Sequence, residues 1–128
     1  MLASLLAVGI GGALGAVARY AVTLLAQGYW GLFFPYGTLI VNGLGSFLAG
    51  LTVTLLVAGY SGSEHFRLFI FTGFLGGFTT FSSFAVETMW LFEQGQWLKW
   101  LINIAINNIA ALSLVLLGAG LGKMSWGS

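Results

Sequence analysis

An all-α membrane protein of four transmembrane helices is the fold class that the sequence predicts, and three observations predict it. Charge is scarce, with four Lys or Arg and three Asp or Glu in 128 residues. A soluble domain carries roughly 25% charged residues, so this chain cannot cover a water-facing surface. Mean hydropathy is +0.99, and 59% of residues are hydrophobic. Apolar segments, each near the roughly 20 residues that cross a bilayer, alternate with short polar connections.

The same composition excludes several functions. A net charge of +1 from scattered basic residues leaves no electrostatic footprint for nucleic acid. With no cysteine, there is no disulfide framework, thiolate metal site or cysteine nucleophile. The lone histidine, His65, sits beside Glu64 in a polar loop, away from any nucleophile–base pair, so an enzyme is not expected.

The first span covers about 4–26 and is rich in small residues. Gly11 and Gly15 lie on one helix face and let another backbone approach. The glycines read loosely as a dinucleotide loop, but no strand precedes them, so that reading fails. Ala16-Val17-Ala18 resembles a signal cleavage site, yet no basic residue precedes the apolar run, so a retained span is expected. Arg19 has two readings: it snorkels to the interface, or it places a fixed positive charge in a water-filled vestibule. Around Gln27–Phe34 the chain turns, with Tyr29 and Trp30 as interface anchors.

Pro35 suits a helix start and opens the second span, about 35–59. Asn42 and Ser46 share one face there; an amide in hydrocarbon needs a partner, and interhelical bonding is the plain reading. Ser61-Gly62-Ser63-Glu64-His65 is the clearest loop. The third span, about 66–93, carries the stretch around which the chain is organised, Gly73-Phe74-Leu75-Gly76-Gly77-Phe78-Thr79-Thr80-Phe81-Ser82-Ser83-Phe84 and Glu87. A glycine pair followed by two threonines is a poor helix interior, so this helix is expected to break near 76–80. Non-helical backbone at membrane depth needs protein or a polar cavity around it. Such a break exposes carbonyls on one side, which suit a cation, and N–H groups on the other, which suit an anion. Phe81 and Phe84 share a face, with Thr80, Ser83 and Glu87 as an adjacent polar strip. Their rings either pack ordinarily or offer positive edges to an anion. The fourth span, about 97–121, stacks Asn103 over Asn107.

The central run resembles the signature of the Fluc family of fluoride channels. Gly11-Gly12, Gly15 and Arg19 in the first span, and Gly37-Thr38-Leu39, Val41-Asn42 and Gly45-Ser46-Phe47 in the second, resemble that family in order. The resemblance implies an antiparallel, dual-topology homodimer in a bacterial inner membrane, surrounded by lipid, with two fluoride pores. It implies passive fluoride export, driven by the inside-negative potential. It also implies a structural Na+ at the dimer centre, held by the backbone carbonyls of Gly76 and Thr79. Phe81 and Phe84 would line the pores, Asn42 would be the pore amide, Ser83, Thr80 and Glu87 would form the polar strip, and Arg19 would stand near the vestibule. Asn103 and Asn107 fall where pore-facing polar residues are expected. Two rivals remain from other classes. A small multidrug exporter needs a membrane carboxylate, and the first span offers Arg19 instead. A structural membrane subunit would account for the glycines but not for the hydroxyl–phenylalanine run.

Charge counting adds an independent expectation about orientation, which follows Lys and Arg near the span ends. With four spans, one side holds Arg67 and Lys123, and the other holds Lys99 and a snorkelling Arg19. The two sides balance. Insertion in both orientations is expected, which makes a closed two-fold pair available. C-terminal reporters active only in the cytoplasm or only outside it should therefore both give signal. Added C-terminal lysines should bias the population to one orientation; signal from a single reporter in the parent chain contradicts dual topology.

Overall fold

The computed structural model describes residues 1–59 and 63–127, and every regular element among them is helical. The elements are α1 (Leu2–Trp30), α2 (Tyr36–Thr52), α3 (Glu64–Arg67), α4 (Gly76–Phe78), α5 (Phe81–Glu93) and α6 (Trp97–Gly127). π-helical turns continue α2 over Val53–Gly59 and join α3 to α4 over Leu68–Leu75. Four helical stretches are long and apolar enough to cross a membrane: Leu2–Trp30, Tyr36–Leu56, Glu64–Glu93 and Trp97–Met124. The chain is a multi-pass membrane protein.

Several ends differ from the sequence expectation, each for a local reason. Tyr29 and Trp30, expected in the first connection, complete α1, which stops at Gly31 with φ +73°. α3 starts at Glu64 rather than Phe66, because Ser63 accepts from the Phe66 N–H at 3.1 Å and caps the helix. The rest of that expected loop, Ser61 and Gly62, lies outside the described residues. Gly95, at φ +72°, closes α5: its N–H reaches the Phe92 carbonyl, and the Gln96 N–H reaches that of Leu91. That is the paired C-terminal bonding a left-handed residue permits. At the start of the first π stretch, the buried Thr54 hydroxyl bonds back to the Gly50 and Leu51 carbonyls, competing with main-chain bonding as such hydroxyls do.

Packing follows the small residues. α1 lies along the Leu68–Leu75 turns and α4, while α2 lies along α6. Gly11 and Gly15 are buried at the first of these contacts. A methyl group at Gly11 would overlap the Phe69 carbonyl, and one at Gly15 the Phe74 carbonyl. Between bilayer helices there is no strong hydrophobic drive, so van der Waals fit of this kind holds them together.

The contact gives a paired test. Gly15→Ala should destabilise the fold by about 1–3 kcal/mol, the usual scale of overpacking. Gly9→Ala, where nothing stands within 4 Å of the added methyl, should be neutral or slightly stabilising, since alanine is the better helix former. Equilibrium unfolding in mixed micelles measures both, and equal effects would discount the close approach.

Candidate functional site

Thr79 and Thr80 are the two extended residues between α4 and α5, with φ/ψ of −86°/156° and −150°/118°. Extended geometry removes regular helical partners from the neighbouring peptide groups, and side chains from other helices replace some of them. Asn42, on α2, accepts from the Thr80 N–H at 2.8 Å and donates to the Thr80 carbonyl at 2.9 Å. Arg19, on α1, donates through Nε to the Gly77 carbonyl at 3.1 Å. A cation at a helix C-terminus is favoured by the helix dipole as well as by the hydrogen bond. The Thr79 N–H and hydroxyl both donate to the Leu75 carbonyl. The Thr80 hydroxyl caps α5 by accepting from the Ser83 N–H at 3.1 Å.

These bonds leave a remainder. Because the Thr80 N–H goes to Asn42, the Gly76 carbonyl loses its natural partner four residues on. The Gly76 and Thr79 carbonyls therefore have no protein donor among the described residues. Both residues border a cavity of about 560 Å³, together with Asn42, Phe81, Phe84 and Asn107. The Phe81 and Phe84 rings lie 5.5 Å apart and are tilted by 48°. Phe81 is 78% exposed.

A polar chain backs this wall. Asn107 donates from Nδ2 to the carbonyl and the Oδ1 of Asn103, both at 2.9 Å. Asn103, fully buried, donates to the Thr88 hydroxyl at 3.0 Å, which in turn donates to the Phe84 carbonyl at 2.6 Å. Asn103 thus ties α6 to the turn of α5 that bears Phe84 and does not border the cavity. Asn107 Oδ1 is buried with no hydrogen-bond partner among the described residues.

Sequence comparison gives the structure a family. The pattern described as CrcB-like protein, Camphor Resistance (CrcB), matches residues 6–119. The chain belongs to the CrcB-like family. It is 58% identical over 123 residues to the "Fluoride-specific ion channel FluC" of Legionella pneumophila (strain Paris), covering 96% of this chain and 92% of the relative. A protein of the same name from Hydrogenovibrio crunogenus is 44% identical over 119 residues, 93% of this chain and 90% of that one. One from Roseiflexus sp. is 41% identical over 121 residues, 94% and 98% respectively.

In this CrcB-like chain the expected site residues separate into groups. Asn42, Gly76, Thr79, Thr80, Phe81, Phe84 and Asn107 meet at the first cavity. Glu87 borders a second cavity of about 370 Å³, where α1 ends, α2 begins and α5 gives way to α6. Arg19, Ser83 and Asn103 border neither. Arg19 turns to the end of α4, where its Nε donates to the Gly77 carbonyl. Three participants escaped the sequence reading. The buried Thr38 hydroxyl approaches the Glu87 carboxyl; its signal was available, because Thr38, Asn42 and Ser46 recur every four residues on one face. Thr88 and Lys99 carried no such signal: Thr88 is joined by Asn103 of α6, and Lys99 borders the second cavity with its ammonium over the Phe33 ring of the α1–α2 loop.

The Asn42–Thr80 pair is testable by itself. Asn42→Leu strips partners from both groups of one peptide residue, a loss of about 1–3 kcal/mol for an unsatisfied buried group. Amide exchange at Thr80 should accelerate in that variant, and its unfolding midpoint should fall. Unchanged exchange at Thr80 would show that the pair does not hold the extended segment.

Proposed function

We propose that this CrcB-like protein is a fluoride-specific channel, exporting fluoride passively across a bacterial inner membrane. The observation that carries the reading is close similarity, across nearly full length, to relatives bearing that name. The site supports it chemically. Fluoride holds water strongly, so a permeation path must replace hydration without trapping the ion. Ring edges of Phe81 and Phe84 are weak positive donors. The Asn42 amide gives one proton to Thr80 and keeps the other uncommitted among the described residues. Weak donors of this sort, in series beside one cavity, suit a small desolvated anion better than a buried cation would. The channel reading makes the protein a non-enzyme.

The working unit on this reading is an antiparallel homodimer with a third span broken at Thr79 and Thr80. Free Gly76 and Thr79 carbonyls cannot face lipid, where no donor exists, and an exposed Phe81 beside them asks for cover. A second copy related by a two-fold axis would supply it. Those carbonyls are hard oxygen donors pointing to no protein group, and they fit a small hard cation such as Na+. When bound, the ion would supply a fixed positive charge between facing carbonyl dipoles. Support for both orientations is less even than a loop count suggests. With Arg19 held at Gly77, Arg67 and Lys123 stand against Lys99 alone.

Fluoride efflux from liposomes containing only this protein, followed with a fluoride electrode, tests the reading. Phe81→Ile and Asn42→Asp should each lower the flux roughly tenfold or more, the scale of about 1.4 kcal/mol. The aspartate does so by placing a like charge beside the anion at short range. No fluoride flux in the parent protein overturns the channel; near-parental flux in both variants returns these residues to packing. Transfer to Na+-free medium should abolish activity or loosen the dimer, and full function there would remove the cation.

A further inference from the structure

The second cavity contains chemistry that the first does not use. It opens at the loop end of the bundle and is bordered by Thr38, Glu87, Gln96, Lys99 and Phe33, among others. Glu87 Oε1 and Gln96 Oε1 are buried, with no hydrogen-bond partner among the described residues. Buried acceptors of this kind take protons from water, and about 370 Å³ has room for roughly ten waters at ~30 Å³ each. A cavity of this size, with acceptors to satisfy, would hold water. Its border carries a single cation, Lys99, and a single carboxylate, Glu87.

Lys99 is placed oddly for a structural residue. It stands in the first turn of α6, where a positive charge opposes the helix dipole. Its ammonium lies 5.4 Å from the centre of the Phe33 ring, a contact that holds a cation without neutralising it. Among the described residues it makes no ion pair. The charge thus remains available to the cavity.

We propose that Lys99 is the anion-capturing group of a wet antechamber, gathering small inorganic anions ahead of the Phe81–Phe84 wall. This rests on the channel reading and adds to it the residue that sets the entry rate. A charged cleft with low-dielectric walls concentrates counter-ions, and the effect fades with ionic strength. The Debye length falls from about 30 Å at 0.01 M to about 8 Å at 0.15 M, so the contribution of Lys99 should be large in dilute buffer and small in salt.

The chain has no cysteine, so Lys99→Cys gives a unique handle in an otherwise unaltered background. Removing a lysine could shift membrane orientation, and charge must therefore be restored after insertion. Purified Lys99→Cys protein is reconstituted in planar bilayers, and fluoride current is recorded before and after thiosulfonate reagents at low ionic strength. An aminoethyl adduct should raise the current roughly three- to tenfold. A neutral methyl adduct should leave it unchanged, and a sulfonatoethyl adduct should lower it. All three differences should shrink in 0.15 M inert salt. If mass spectrometry shows the adducts formed and current ignores their sign, the proposal is overturned. Should the cysteine variant fail to fold, Lys99→Arg against Lys99→Gln at the same two ionic strengths reads the same charge. Equal currents there count as refutation. Absence of fluoride current in the parent protein would instead remove the channel reading, and this inference with it.

Discussion

The reciprocal hydrogen bonds between Asn42 and Thr80 are the constraint on which the centre of this protein depends. In hydrocarbon an unpaired peptide group costs several kcal/mol, so an extended residue at membrane depth requires donors and acceptors from elsewhere. One amide, presenting both, satisfies the N–H and the carbonyl of the same residue. Once Thr80 is committed to α2, the Gly76 carbonyl at the cavity border is left without its helical partner, and the Thr80 hydroxyl caps the start of α5. Arg19 closes the other side by holding the Gly77 carbonyl. Two side chains from two helices fix what the third span cannot fix for itself.

Close helix packing brings those side chains within reach. Gly11 and Gly15 allow α1 to lie against the backbone of the Leu68–Leu75 turns, and the same register carries Arg19, one turn beyond Gly15, to the end of α4. On the other flank a methyl group at Gly45 would overlap the Thr79 methyl, so a small residue there seats the threonine beside Asn42. Small residues and polar partners are thus one device, since hydrogen bonds of 2.8–3.1 Å require backbones that approach closely.

The polar residues fall into two environments with opposite demands. Around Phe81 and Phe84 the ring edges and amides carry partial charges only, and behind them Asn103 and Thr88 are bonded to protein. At the loop end the groups are charged or unpartnered, and they require water. On the proposed reading, an anion passing from the second setting to the first would exchange full charges and solvent for partial charges. That order suits an anion that must be gathered from water and then released from it.

The sequence by itself determined the class, because seven charges cannot cover a soluble surface, and it determined the span count, because apolar length is a local property. It pointed to the neighbourhood of the extended threonines, although Gly76–Phe78, expected within the break, is helical and only Thr79 and Thr80 are extended, and it placed Phe81 beside Phe84 by spacing alone. What it could not decide were relations between helices. Asn42 read from its residues as interhelical glue and from the family resemblance as a pore amide, and the structure pairs its oxygen and one of its protons with Thr80. Arg19 read as a snorkelling side chain or a vestibule charge, and it turned to the Gly77 carbonyl, a partner 58 positions away that no spacing rule connects to it. Spacing stacked Asn103 over Asn107, and the structure turns the Asn103 amide to Thr88 on α5. Glu87 joined the polar strip by period but borders a separate cavity, because the α1–α2 loop and the start of α6 enclose it there. Periodicity says which side chains share a helix face; which neighbour that face meets is set by tertiary packing, where the unsatisfied groups of one helix find the side chains of another.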